Sequence, residues 1–288
     1  AKGVRHIRIT MAEDFLKIST VEWILSLIEG ERTLIWFSMP CTGGCPWIYL
    51  NKHKQNGIEK INDHRKVMKM MWRHFEIIAK YADKVNAWVV NEWPLNCQYW
   101  KDPKVQRFFQ TYVYDSLVVH GCMAGLRSVN QKDFGMPVKK PWKLMTNKVR
   151  YLIPMKEKFT CRGHSWAERH APCAGKNTKI SEGYTEEFCR MVHFCFFEYI
   201  KEVAARNRCD PVPTPRTRDD DDDYYGDDND GDRNNMVVPY VNSEQKPLSG
   251  LPMDRPLAID LTSSKVDFVA LPCICLLYTS PSPRDRFL

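Results

Sequence analysis

Four residues with zinc-ligand chemistry fall close together, as Cys161-Arg162-Gly163-His164 and His170-Ala171-Pro172-Cys173. Each pair encloses two residues and a five-residue loop joins them, a spacing that can close a tetrahedral zinc site through Cys161, His164, His170 and Cys173. Gly163 permits the tight turn, and Arg162, Lys176 and Lys179 suit phosphate contacts; short knuckles of this kind occur in single-strand binders. The competing reading is a loop whose histidines merely face water. A second pair of reactive types stands further apart. Cys41 lies in Pro40-Cys41-Thr42-Gly43-Gly44 and Glu92 in Asn91-Glu92-Trp93-Pro94, each directly after an apolar run.

The elements around them explain how Cys41 and Glu92 meet. Residues 33–38 and 87–90 read as short buried strands that stop at Pro- and Gly-marked polar loops. Between them, Ile58, Ile61, Met68, Met71, Trp72, Phe75, Ile78 and Ala82 make one apolar helical face over 58–85. Strand, helix, strand is a parallel crossover, so both loops emerge at the carboxyl edge of one sheet, where open α/β sheets hold ligands. Further strands are expected at 7–10, 117–120 and 142–146, and helices at 21–28, 103–112 and 184–205. The fold expected is α/β, a mostly parallel Rossmann-like sheet with flanking helices, incomplete at the N-terminus. Trp47 and Trp100 follow the two loops and are placed to stack a base, although core packing is the commoner fate of Trp. His53, His64 and His74 lack an evident carboxylate partner and read as solvated.

At 288 residues, 43% hydrophobic and with nine Trp, the chain has enough apolar surface for a real core over 1–205. No run approaches a membrane span and no secretory signal opens the sequence. Eleven cysteines, an odd number in a long chain, read as reduced thiols, which places the protein inside the cell, nuclear or cytoplasmic. Nine Asp within 219–232, set against a net charge of +7, leave +16 on the rest. A body that basic favours a polyanionic partner, nucleic acid first and DNA ahead of RNA. The Pro- and Asp-rich stretch 206–250 reads as a disordered acidic linker, and 251–274 is left unassigned.

Three resemblances add to this. Residues 275–285, Cys-Leu-Leu-Tyr-Thr-Ser-Pro-Ser-Pro-Arg-Asp, resemble a translated sequencing-library adapter, which implies that 275–288 is an assembly scar on a truncated reading frame. Pro-Cys after one strand and an acidic residue after the next resemble the cytosine-5 methyltransferases, a Rossmann-like S-adenosylmethionine family, over roughly 8–147. That resemblance implies Cys41 as the nucleophile adding to C6 of cytosine, Glu92 as the acid holding the base edge, and Asp14 as a cofactor contact. The sequence departs from the family at Thr42, at Trp93-Pro94 and in lacking a Gly-rich cofactor loop, so the cofactor-binding loop is missing and the domain reads as degenerate or truncated. The order Pro-Cys-Thr-Gly-Gly, Glu-Trp-Pro, Lys140-Pro141-Trp142 and Cys161–Cys173 is closer to protist retroelement-associated reading frames. The expected function is therefore a methyltransferase-like domain acting on or binding nucleic acid. The alternatives are a non-enzymatic, zinc-stabilised nucleic-acid-binding module of a mobile element, and a fragment without function.

Overall fold

The computed structural model describes residues 5–10, 13–164, 169–209 and 272–277. In chain order these form β1 (Arg5–Arg8), α1 (Ile18–Ser26), β2 (Leu34–Ser38), α2 (Ile48–Asn51), α3 (Gly57–Lys84), β3 (Trp88–Pro94), α4 (Pro103–Thr111) and β4 (Asp115–His120). There follow β5 (Val138–Lys139), β6 (Pro141–Thr146), α5 (Ile153–Lys158), β7 (Ala171–Pro172), α6 (Lys176–Ile180), α7 (Glu186–Cys209) and β8 (Pro272–Leu277). The main sheet has the order β1-β8-β2-β3-β6-β4, and β5 pairs with β7 in a small second sheet.

The fold is α/β with a mixed main sheet: β1, β8, β2 and β3 pair in parallel, whereas β6 pairs antiparallel on both sides. β2 and β3 pair in parallel across α3, with Leu34 opposite Trp88 and Phe37 opposite Asn91. β6 runs antiparallel to both β3 and β4. The 20 residues joining β4 to β6 hold a short 3-10 turn and β5 but no crossover helix, and the two strands pair antiparallel. β3 also runs further than expected: Asn91 to Pro94 is ladder-paired strand, not loop.

Side-chain alternation along the strands divides the core in two. Ile35, Phe37, Val89 and Trp93 face α1, α3 and α4, against Met71, Trp72, Phe75, Ile78, Phe108 and Phe109. Leu34, Trp36, Trp88, Val90, Trp142 and Leu144 face α7, against Phe188, Phe196, Tyr199 and Val203. The helical face expected over 58–85 is buried from Ile61 onward, but Ile58, in the first turn of α3, is 64% exposed. α4 begins where Asp102 accepts the Lys104 N–H at 2.9 Å, with Pro103 in the first turn.

The boundary expected at 275 does not divide the structure, since β8 crosses it and pairs in parallel with β1 and β2. Its apolar sequence Pro-Cys-Ile-Cys-Leu-Leu has the composition of a buried strand. α7 likewise runs past 205 to Cys209; the rest of the acidic stretch, 251–271 and 278–288 lie outside the described residues. No helix among the described residues is long and apolar enough to cross a membrane.

Candidate metal centre and the sheet-edge loops

The reactive groups gather around the carboxyl ends of β2, β3 and β4, in three separate clusters. At the end of β4 the chain turns through Gly121 and carries Cys122 toward the segment after α5. Cys122, Cys161, His164 and His170 bring one ligand atom each to within 4.8 Å of one another. His170 Nε2 stands 3.3 Å from Cys122 Sγ and 3.5 Å from Cys161 Sγ. Ligands about 2.0–2.3 Å from a tetrahedral ion stand roughly 3.3–3.8 Å apart, so these separations are those of a zinc-sized site. Surrounding groups orient the ligands, as outer groups do in metal sites. The Cys161 N–H donates to His120 Nδ1 at 3.1 Å and the Gly163 N–H to Cys161 Sγ at 3.4 Å. The buried His164 Nε2 has no hydrogen-bond partner among the described residues. Burial, with His164 and Lys139 nearby, lowers the pKa of His170 and favours the neutral ring that ligates metal.

Three of the four expected ligands are thus together, and the fourth is not. Cys173 lies 3.2 Å from Ser181 Oγ, turned toward α6. The cause is β7: pairing Ala171 and Pro172 with β5 carries the chain away from the cluster before Cys173 is reached. Cys122 takes its place, from 39 residues upstream of Cys161. Spacing within the segment gave no sign of it; the available signal was a Cys one residue after a Gly at a strand's carboxyl end.

Glu92 occupies the second cluster, on the α7 side of the sheet. Its Oε2 accepts hydrogen bonds from Ser38 Oγ at 2.7 Å and Tyr184 OH at 2.6 Å, while Trp36 Nε1 donates to Tyr184 OH at 3.0 Å. Burial raises the carboxyl's pKa, and the two hydroxyls and Lys140 offset this in part. Tyr184, which the sequence pattern marks only as the start of a helix, is the principal partner of the buried acid.

Cys41 packs against the opposite core, beside α3, in a third cluster with Cys45 and Cys97. The Thr42-Gly43-Gly44 turn is shaped by packing. Gly43 has φ +76°, and a Cβ on Gly44 would stand 2.9 Å from the Tyr99 ring. Tyr99 OH donates to Thr42 O at 2.9 Å, and Trp93 Nε1 donates to Met39 O at 2.9 Å. Within the turn the Cys45 N–H donates to Cys41 O at 2.8 Å. The Cys41 thiol in turn donates to Cys45. That bond, with the N–H groups of Trp47, Cys45 and Ile48, brings Cys45 down to about 7, while the same bond and burial drive Cys41 well above the ordinary thiol range. Cys45 is therefore the more acidic thiol of this loop. Lys140 lies within electrostatic reach of both Cys41 and Glu92, and its ammonium donates to Ser181 Oγ at 3.1 Å.

Asp14 stands apart from all three. Its backbone has φ +45°, its Oδ1 accepts the Leu16 N–H at 3.2 Å and Oδ2 pairs with Lys17 at 3.7 Å, so it organises the turn into α1. Trp100 is buried, with Nε1 donating to Pro94 O at 3.0 Å, whereas Trp47 remains exposed. His74 is not solvated: its Nδ1 lies 2.8 Å from Phe15 O. Compared with known protein families, curated proteins and solved structures, the chain matches none.

Proposed function

We propose that this chain is a nucleic-acid-binding α/β domain fastened at one sheet edge by a zinc ion. The observation that carries the reading is the convergence of Cys122, Cys161, His164 and His170 from separate segments of chain. Two thiolates and two imidazoles in tetrahedral spacing suit zinc and leave no open position, so the ion is structural rather than catalytic. It ties the β4 turn to the segment after α5. The partner follows from charge, +16 outside the acidic run. The test is to purify the full chain, measure its zinc content and titrate labelled oligonucleotides over a range of salt. The expected result is one zinc per chain and an affinity that falls linearly in log–log form with salt. A metal-free protein with no salt-dependent binding overturns the reading.

A second reading, a methyltransferase-like domain, is favoured by one observation: parallel β2 and β3 bring Cys41 and Glu92 to the same sheet edge, within reach of Lys140. S-adenosylmethionine does not fit the residues assigned to it. The Asp14 carboxylate is occupied by Leu16 and Lys17, and the nucleophile position holds a protonated thiol. Incubating the protein with methyl-labelled S-adenosylmethionine and DNA tests this reading, and label in the DNA would restore the enzyme.

A further inference from the structure

α2 and the first turns of α3 form a face that borders the Cys41 loop and carries none of the metal-centre residues. Trp47, Tyr49, Leu50 and Ile58 are 39%, 54%, 61% and 64% exposed there. Large apolar side chains held together in water mark a contact surface. Ile58 also lines a cleft of about 950 Å³, together with Lys52, Lys54, Arg65, Lys66 and Lys69. Glu59 and Asp63 are the acids of the cleft, so its net charge is +3. Lys66 pairs with Asp63 at 3.0 Å, while Lys52, Lys54, Arg65 and Lys69 have no carboxylate partner among the described residues. Arg65 uses its Nε on Gly43 O, which fixes the guanidinium at the border of the Cys41 loop. Lys52 Nζ lies 5.9 Å from the Tyr49 ring centre, joining aromatic patch and cationic cleft.

We infer that this face binds single-stranded nucleic acid, with bases stacked on Trp47 and Tyr49 and phosphates following the lysine-lined cleft. The inference rests on the nucleic-acid reading above and gives it a surface. Exposed rings beside a cationic channel are the two requirements of sequence-tolerant strand binding. A duplex hides the faces of its bases and leaves the rings without a partner. An acidic peptide would use the cations but not the rings. A flat bilayer would meet the rings but not follow a cleft.

The test is anisotropy of labelled oligo-dT and oligo-rU, with duplex DNA and anionic vesicles as competitors, on the full chain. With three net cations engaged, the log–log salt slope is expected near −2, since each contact on a single strand contributes about 0.7. Replacing the rings together, Trp47→Ala and Tyr49→Ala, should weaken binding by about tenfold or more. Replacing Lys52 and Lys54 by Glu should flatten the slope by at least about 1. Both variants should keep the zinc content of the parent, which separates lost contact from lost fold, and either alone decides the matter if the other misfolds. Parent-like affinity and slope in both variants would overturn the inference and leave the nucleic-acid reading standing. Preference for duplex or vesicles would do the same for the single-strand assignment. Absence of any nucleic-acid binding by the parent would overturn both.

Discussion

The Cys41 loop makes a prediction opposite to the one its sequence invites. A thiol at the ordinary value of 9.0 is about 1% ionised at pH 7, whereas one at about 7 is about half ionised, roughly fiftyfold more thiolate. The less basic thiolate is also a weaker nucleophile, and a Brønsted coefficient of about 0.4–0.5 takes back roughly six- to tenfold. Cys45 should therefore react with iodoacetamide about five to eight times faster than an unperturbed thiol at pH 7. Cys41, held protonated as the donor to Cys45, should be among the last to react. Peptide mass mapping after timed alkylation between pH 5.5 and 9 reads each site separately. Cys41→Ala removes the largest cause and should move the Cys45 midpoint up; Cys41→Ser keeps an O–H donor and should leave most of the effect. Preferential alkylation of Cys41, or a Cys45 midpoint unchanged in Cys41→Ala, would refute the reasoning.

Other parts of the structure make equally definite predictions. Folding raises the pKa of Glu92 above 4.5, so its contribution is fully present below pH 4.5 and is lost as pH rises through the folded value. Glu92→Gln should accordingly gain stability relative to the parent as pH rises, by urea unfolding at pH 5 and pH 8; a constant difference would contradict this. Gly44→Ala should cost about 1–3 kcal/mol, because the new Cβ meets the buried Tyr99 ring at 2.9 Å; a neutral substitution would show that the turn yields freely. Asn91 is buried on the α3 side, and neither of its side-chain polar atoms has a hydrogen-bond partner among the described residues. Asn91→Leu should raise stability by about 1 kcal/mol or more, and a loss of that size would mean that the amide has a partner.

Much of this fold was legible because its signals are local. The apolar period from Ile61 to Ala82 built α3, and the runs before Cys41 and Asn91 built the parallel pair β2 and β3. What could not be read depends on tertiary pairing. Nothing in the sequence of β6 says that it turns back between β3 and β4, which makes the sheet mixed. Nor does a local spacing reveal that β5 and β7 pair and draw Cys173 away, leaving its place to Cys122. The Pro-Cys pair marks this loop but not which of its two sulfurs is the more acidic, because the turn that lets Cys41 donate to Cys45 exists only in the folded chain.

On the zinc reading, Cys122 and not Cys173 is the fourth ligand. The most direct measurement is zinc affinity and stoichiometry for the parent, Cys122→Ser and Cys173→Ser proteins, by competition with a chromogenic chelator. The parent and Cys173→Ser should each bind one zinc with equal affinity, and Cys122→Ser should bind at least about a hundredfold more weakly, since even outer-shell losses cost 10- to 100-fold. Parent-like zinc binding by Cys122→Ser, or its loss in Cys173→Ser, would contradict the account.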